Sequence, residues 1–296
     1  MPGRRLLRQL VEAPDILVLP GVFNGYSVRL VERSGFKAAA ITGAGVSENL
    51  LGWADRGILT FDENLRACRA LADCCTIPLL ADADTGYGNA LNVHFVTRAF
   101  EKAGLTAISI EDQVWPKRCG HMEGKRVIPA REMADKVKAA VDARHDPDFM
   151  IRARTDAAAT DGIPEVIDRL NMYAEAGADI VFADALLSAD DIRKVAQNVS
   201  KPLSVNMGFG LVERGTTPLL TPRQLQDLGA SSVSYARMLS SAALRGMMNA
   251  LEAFAPTIDA ERPTFRPDLM VQFKELNEIM GSKTLDEIEE KYISKP

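Results

Sequence analysis

A surplus of basic charge, paired cysteine knuckles and long apolar runs are all missing from this chain, and each absence closes off a class of function. Across 296 residues, 35 lysines and arginines are outnumbered by 40 aspartates and glutamates, a net charge of −5. No basic field exists to hold a phosphate backbone by counterion release, which excludes nucleic acid as a partner. The four cysteines, Cys68, Cys74, Cys75 and Cys119, form no pair of C-x-x-C knuckles, and adjacent Cys74 and Cys75 read as small buried residues near a helix end. No stretch reaches the roughly 20 apolar residues of a membrane span. Arg4, Arg5 and Arg8 make the N-terminus basic, but Gln9, Glu12 and Asp15 interrupt any signal-peptide core. The expected compartment is reducing: the cytoplasm, with the mitochondrial matrix as alternative.

What is present is a regular alternation. Short apolar or β-branched runs at Leu17–Leu19, Ala38–Thr42, Pro78–Ala81, Ala107–Ile110, Phe149–Ala153, Asp179–Phe182, Pro202–Val205 and Ser232–Tyr235 predict eight strands. Between them lie helical periods such as Val93, Val96, Phe100 and Ala103. Glycines at 35, 104, 177 and 229 each close a helical run shortly before the next strand, the position of a left-handed helix cap. Eight such units predict a (β/α)8 TIM barrel over residues 1–255, although an open doubly wound sheet would share the pattern. From Phe254 onward Pro256, Pro263 and Pro267 space a linker before helical segments near Leu269–Met280 and Leu285–Ile293. Residues 256–296 are therefore read as an appended helical tail, either packed on a neighbouring subunit or solvated.

In such barrels the chemistry sits at the C-terminal strand ends, and those ends are polar here. The second strand runs into Thr42, Gly43 and Ala44, the third into Asp82-Ala83-Asp84, and the fourth into Glu111-Asp112-Gln113. The fifth ends in Arg152-Ala153-Arg154-Thr155-Asp156, the sixth in Asp184 and the seventh in Asn206. Strand alternation puts Asp82 and Asp84 on a shared face, and likewise Arg152 and Arg154. Three half-buried carboxylates at Asp82, Asp84 and Glu111 repel one another unless a cation sits among them, and hard Mg²⁺ suits all-oxygen ligands. The competing reading has the same acids capping helices and pairing with Arg152, Arg154 or Lys102.

Residues 115–125 form a loop too long for a simple connector. It gathers Cys119 and His121 with Lys117, Arg118 and Lys125, surroundings that keep a thiol able to give or take a proton. Packing explains a cysteine poorly in so charged a loop. His121 reads either as a substrate contact or as a loop-closing hydrogen bond, and Gly120 and Gly124 offer hinges for closure over substrate. His94 and His145 fall away from the mouth.

The runs Asp82-Ala83-Asp84-Thr85-Gly86-Tyr87-Gly88, Ser109-Ile110-Glu111-Asp112-Gln113 and Lys117-Arg118-Cys119-Gly120-His121 closely resemble the isocitrate lyase/phosphoenolpyruvate mutase superfamily. The likeness is greatest to the branch holding 2-methylisocitrate lyase and 2,3-dimethylmalate lyase, and covers residues 5–255. It implies a Mg²⁺-dependent (Mn²⁺ as the alternative) carbon–carbon lyase acting on a small 2-hydroxy di- or tricarboxylic acid through an enolate-like intermediate. It also implies a homotetramer with C-terminal helices exchanged between subunits. By matching positions, Asp82 would bind the metal directly, Asp84 and Glu111 largely through water, and Asp55 would support the site. Thr42, Gly43 and Ala44 would grip the keto-acid carboxylate, Arg154 would bind substrate, and Cys119 would donate the proton. Lys117 and His121 would assist Arg154, with Gly120, Asp184, Asn206 and Thr217 completing the pocket. This chain departs from the superfamily lyases at Thr42-Gly43-Ala44, where Ser-Gly-Gly is usual, and at Asp184, where glutamate is usual. It departs again at the inserted Gly208-Phe209-Gly210 and at the strand-eight exit Tyr235-Ala236-Arg237. Oxaloacetate decarboxylation or hydrolysis, phosphonate cleavage or rearrangement, and a catalytically silent binding subunit are the alternatives on the same scaffold.

Overall fold

The computed structural model describes residues 2–119, 122, 124–213, 215 and 217–293. Eight parallel strands close in sequence order: β1 Leu17–Val22, β2 Ala39–Ile41, β3 Leu79–Asp82, β4 Ala107–Glu111, β5 Met150–Thr155, β6 Ile180–Ala183, β7 Leu203–Asn206 and β8 Ser232–Tyr235. Strand β8 pairs back onto β1 through Leu17–Ser232 to Pro20–Tyr235. The closed barrel replaces the open-sheet alternative, and all eight expected strands are present. Helix boundaries follow local chemistry: Asn24, Thr60, Asn89 and Thr221 each form a reciprocal capping box. The four expected glycine joins all have positive φ, from 82° at Gly35 to 104° at Gly177.

Residues on the outer face of the strands, among them Ile41, Ala81, Ile108, Ile110, Ile151, Val181 and Val233, pack with helix residues such as Val96, Phe100, Met133 and Val166. The interior changes character from bottom to top. At the bottom Leu17, Leu19, Leu80, Ala107, Met150 and Ile180 form a dry layer with Leu7 and Val11 of the helix Pro2–Glu12. That helix plugs the barrel floor, and Arg4 fastens it by donating to the Glu101 carbonyl at 2.6 Å and the Glu101 carboxylate at 3.2 Å. One layer up, Arg152 donates to Ser109 Oγ on β4 at 3.1 Å and Ser204 Oγ on β7 at 3.4 Å, bonds that can meet only through the interior. Burial pulls its pKa down to about 10. Phe182 on β6 lies against both arginines of β5, 4.7 Å from the Arg152 guanidinium carbon and 5.3 Å from that of Arg154.

The end of β5 is fixed by a buried carboxylate. Asp112 Oδ2 accepts from Thr155 Oγ1 at 2.7 Å, Tyr173 OH at 2.7 Å and Arg169 Nη1 at 3.2 Å, while Oδ1 accepts from the Asp156 N–H at 3.0 Å. The chain turns there with every partner specified.

By compactness the chain divides into residues 1–239 and 240–296, earlier than the boundary expected at 255. The helix Met238–Phe254 thus belongs largely to the second unit. That unit also holds the helices Phe273–Ile279 and Ser282–Tyr292, close to the two expected tail segments. Leu244, Met247, Met248, Leu251, Phe265 and Phe273 are exposed on it. Among the described residues no helix is long and apolar enough to cross a membrane.

Two stability measurements test this account. Leu7→Ala, at a site with no exposure, should cost about 2–5 kcal/mol in urea unfolding. Asp112→Ala should cost about 3–5 kcal/mol, because it removes the buried acceptor shared by Thr155, Tyr173, Arg169 and the Asp156 N–H. Changes below about 1 kcal/mol in either variant would contradict the packing described.

Candidate active site

Strands β2 to β8 deliver polar groups to one cavity of about 50 Å³ at their C-terminal ends. It is lined by Thr42, Ala44, Asp55, Asp82, Glu111, Lys117, Arg118, Cys119, Arg154, Asp184, Asn206, Ala236 and Arg237. All thirteen fall in five expected groups: the strand-two turn, the acids, the cysteine loop, Arg154, and the distal pocket with the strand-eight exit. The volume accommodates several waters or a small hydrated ion.

The acidic side is built from β3 and β4. Asp82, the last residue of β3, accepts the Gly43 N–H on Oδ2 at 3.2 Å and the Asp84 N–H on Oδ1 at 3.1 Å. Only glycine allows the first approach, since a Cβ on residue 43 would lie 2.7 Å from Asp82 Oδ2. Asp84 is not on the strand: its φ of 47° turns the backbone left-handed, so strand alternation does not place it. It faces the Lys117 ammonium at 2.8 Å, and Lys117 also contacts Asp55 at 2.8 Å. Burial works against the Lys117 charge, but Asp84, Asp55, Glu111 and Asp82 outweigh it and hold that pKa well above an ordinary lysine. Burial pushes Asp84 up to about 6 against the opposing pull of Lys117. Glu111 is likewise raised by burial, well above the carboxylate range. None of these acids caps the helix after its strand, where Asn89 and Pro129 hold the N-cap positions.

The basic side is centred on Arg154. Its guanidinium meets Asp156 at 2.8 and 3.0 Å, Asp184 at 2.8 Å and Glu111 at 3.3 Å. Lys125 pairs with Asp156 from behind at 2.9 Å. Burial disfavours the Asp156 charge, yet Arg154 and Lys125 overcome it and leave Asp156 below the usual carboxylate range. Asn206 donates to Asp184 Oδ1 at 3.4 Å and accepts the Gly208 N–H at 2.9 Å.

Cys119 reaches the cavity on the loop after β4. The loop is pinned: Gln113 accepts the Arg118 N–H at 3.1 Å, donates to the Arg118 carbonyl at 2.9 Å and donates to Glu111 at 2.9 Å. The Cys119 N–H donates to the Asp55 carbonyl at 3.2 Å, and Arg237 Nη2 points at its sulfur from 3.7 Å. Gly120 and His121, both expected in the site, lie outside the described residues. Thr217 is buried but is not among the described residues lining the cavity. Gln113 was not singled out as a site residue from sequence, being a strand-end amide without a distinctive motif; Arg237 was read only as part of the altered strand-eight exit beside the distal pocket, with no role of its own.

Among the described residues no three acidic, histidine or cysteine side chains form a ready cation cage. Magnesium does not need one, since it binds through one or two carboxylates and keeps its waters. Asp82 presents a carboxylate to a cavity of water-sized space beside acids whose pKa values burial raises. Added positive charge would relieve that penalty, so the residues fit a divalent cation.

Residues 7–255 match the family model for phosphoenolpyruvate phosphomutase. The chain is 38% identical over 286 residues to 2,3-dimethylmalate lyase of Eubacterium barkeri, covering 97% of this chain and 96% of that one. It is 41% identical over 230 residues to 2-methylisocitrate lyase of Aeropyrum pernix, covering 78% and 72%. Among solved structures, oxaloacetate acetylhydrolase bound to 3,3-difluorooxalacetate superposes with a TM-score of 0.89 at 28% identity, over 99% of this chain and 98% of that one. Phosphonopyruvate hydrolase, solved with oxalate and Mg²⁺, gives 0.87 at 27% identity over 99% and 100%. The family match takes in all eight strands of the barrel, and the chain belongs to the phosphoenolpyruvate phosphomutase family of the isocitrate lyase/phosphoenolpyruvate mutase superfamily.

Proposed function

We propose that this barrel cleaves a carbon–carbon bond in a small 2-hydroxy di- or tricarboxylic acid of the 2,3-dimethylmalate or 2-methylisocitrate kind. The products are an α-keto acid such as pyruvate and a second carboxylic acid. The observation that carries this reading is the convergence of the Cys119 thiol, Arg154 and Asp82 on one cavity at the strand ends.

Asp82 would hold Mg²⁺ or Mn²⁺, with Asp84, Glu111 and Asp55 around it, and the cation would favour the ionised 2-hydroxyl beside its carboxylate. Thr42, Gly43 and Ala44, at the N-terminus of the helix Gly43–Leu51, would receive the keto-acid carboxylate. When the C2–C3 bond breaks, its electron pair passes to C3 and spreads into the carboxylate there, while the C2 oxygen becomes the keto oxygen. Cys119 Sγ–H then protonates C3. The hydroxyl proton, released to water, balances the proton that returns to the thiolate. Arg154, held by Asp156 and Asp184, offers fixed positive charge to the reacting acid, with Lys117 and His121 beside it. Gly120, Asp184, Asn206 and Thr217 would shape the distal pocket.

The proposal extends to the assembly: residues 1–255 act as the catalytic barrel, and 256–296 pack on a neighbouring subunit of a homotetramer by helix exchange. The cytoplasm is the proposed compartment; nothing in the comparisons favours the matrix.

Product analysis tests the reaction. With Mg²⁺, 2,3-dimethylmalate or 2-methylisocitrate should yield pyruvate, and EDTA should abolish it. Turnover confined to oxaloacetate or phosphonopyruvate would replace the reaction while keeping the barrel. Cys119→Ala should lower turnover by about 10²–10⁴ and leave oxalate affinity within about twofold; near-normal turnover would remove the cysteine from the mechanism.

A further inference from the structure

A second cavity, of about 450 Å³, opens between the Tyr87-Gly88 turn, the Val114-Trp115 start of the cysteine loop and the helix Ala130–Ala143. It shares no lining residue with the cavity of Asp82, and its size falls in the range of about 300–1,000 Å³ usual for small-molecule sites. One wall is apolar: the Tyr87 and Trp115 rings stand 6.2 Å apart, with Val114 and Ile128 beside them. The other wall carries charge. Lys136 is 4% exposed and donates to the Thr85 carbonyl at 3.2 Å. Among the described residues three lysines are buried. Lys117 and Lys125 meet carboxylates at 2.8 and 2.9 Å, whereas Lys136 pairs with none, a condition in which buried ammonium groups are seldom left. Burial pulls its pKa down against the opposing charges of Glu132 and Asp112. Glu132, one helical turn earlier, lines the same cavity, and its exposed carboxylate forms no ion pair or hydrogen bond among the described residues.

We propose that this cavity is a binding site for an α-amino acid with an apolar side chain, its carboxylate on the Lys136 ammonium and its ammonium on the Glu132 carboxylate. Positions four apart on a helix stand about 5–6 Å from each other at Cβ, a gap that two charged groups carried on one α-carbon bridge. A simple carboxylate would satisfy Lys136 but meet repulsion from Glu132, and a simple amine would do the converse; a zwitterion satisfies both. Its side chain lies against Trp115, Tyr87 and Ile128 and buries apolar surface there. Gln113, whose amide ties Glu111 to the Arg118 backbone, also lines the cavity. An occupant therefore sits against the base of the cysteine loop without entering the cavity of Asp82, and its binding depends on no step of the reaction proposed above.

Titration calorimetry on the full chain compares L-phenylalanine with 3-phenylpropionate and phenethylamine, which each lack one of its charges. L-Phenylalanine should bind, and each analogue should bind about 10–100-fold more weakly, the loss of one charged hydrogen bond. Lys136→Gln, which keeps a donor for the Thr85 carbonyl, and Glu132→Gln should each weaken L-phenylalanine by about the same factor, while oxalate with Mg²⁺ stays within about twofold of wild type. In a Trp53→Phe background Trp115 is the sole tryptophan, and its fluorescence should change as the site fills. Should Lys136→Gln fail to fold, the Glu132 variant and the analogue series decide alone. No L-phenylalanine binding by the wild type, equal binding of 3-phenylpropionate, displacement by saturating oxalate and Mg²⁺, or unchanged affinity in Glu132→Gln would each overturn the assignment.

Discussion

A charge sent into the closed interior of a barrel has little water to meet, so it must meet an opposite charge or lose its own. That constraint organises the upper half of this molecule. Arg154 projects inward from β5 among Asp156, Asp184 and Glu111, and Lys117 enters from the loop after β4 between Asp55 and Asp84. Asp156 in turn holds Lys125, and its backbone N–H is tied to Asp112. Each pair sets the position of the next, which turns the ends of β3 to β6, with Asp55 from the segment before β3, into one electrostatic unit. The arrangement contributes geometry more than stability, since desolvation consumes much of the Coulomb gain in buried pairs. Sites that stabilise developing charge need such fixed dipoles and charges in place before the reaction begins.

The cysteine loop is part of the same unit. Gln113 joins it to Glu111 on one side and to the Arg118 backbone on the other. The Val114 N–H donates to the Arg126 carbonyl at 2.8 Å, closing the loop at its base. The segment carrying the thiol is thereby anchored at both ends and through its third and fourth residues, and Lys117 pulls it down onto the acids. A proton donor on a free loop would spend most of its time away from the carbon it must reach. Here the charges that would accompany substrate binding also draw the donor inward.

The barrel was legible because its signals are local and redundant. Strand runs, helical periods and capping glycines each report on a few neighbouring residues, and they agree with one another. The strand-end acids and Arg154 were legible for the same reason, as polar residues interrupting apolar strands. Two features escaped. The plug helix Pro2–Glu12 reads as a basic N-terminus, because the partners that bury Leu7 and Arg4 lie about 100 residues away or more in several cases. The strand-eight exit at Tyr235-Ala236-Arg237 was read as part of the distal pocket, but the approach of Arg237 to Cys119 was not, because only closure of the barrel brings β8 beside that loop. Asp84 was placed in the correct cluster by an incorrect route, since its left-handed φ takes it off the strand.

The segments beyond the strand ends also show how the cavity can change its lining without risk to the fold. Below the mouth, every inward position is constrained by neighbours across the barrel: Ser109, Arg152 and Ser204 satisfy one another, and Leu7 fills the floor beneath them. Above the last strand pairing that constraint ends. Residues 236 and 237 follow β8, and Gly208 to Gly210 follow β7, so a change there alters the shape and charge of the cavity while the ladder below keeps its register. The approach of the β8 exit is nonetheless regulated from one point. A Cβ on Gly21 of β1 would sit 2.6 Å from the Ala236 carbonyl oxygen, so that glycine lets the exit lie close against the barrel and sends Arg237 over the cavity rather than outward. The lining at this end of the barrel therefore depends on a backbone approach fixed by β1 and β8 together with the side chains carried beyond the last strand pairing.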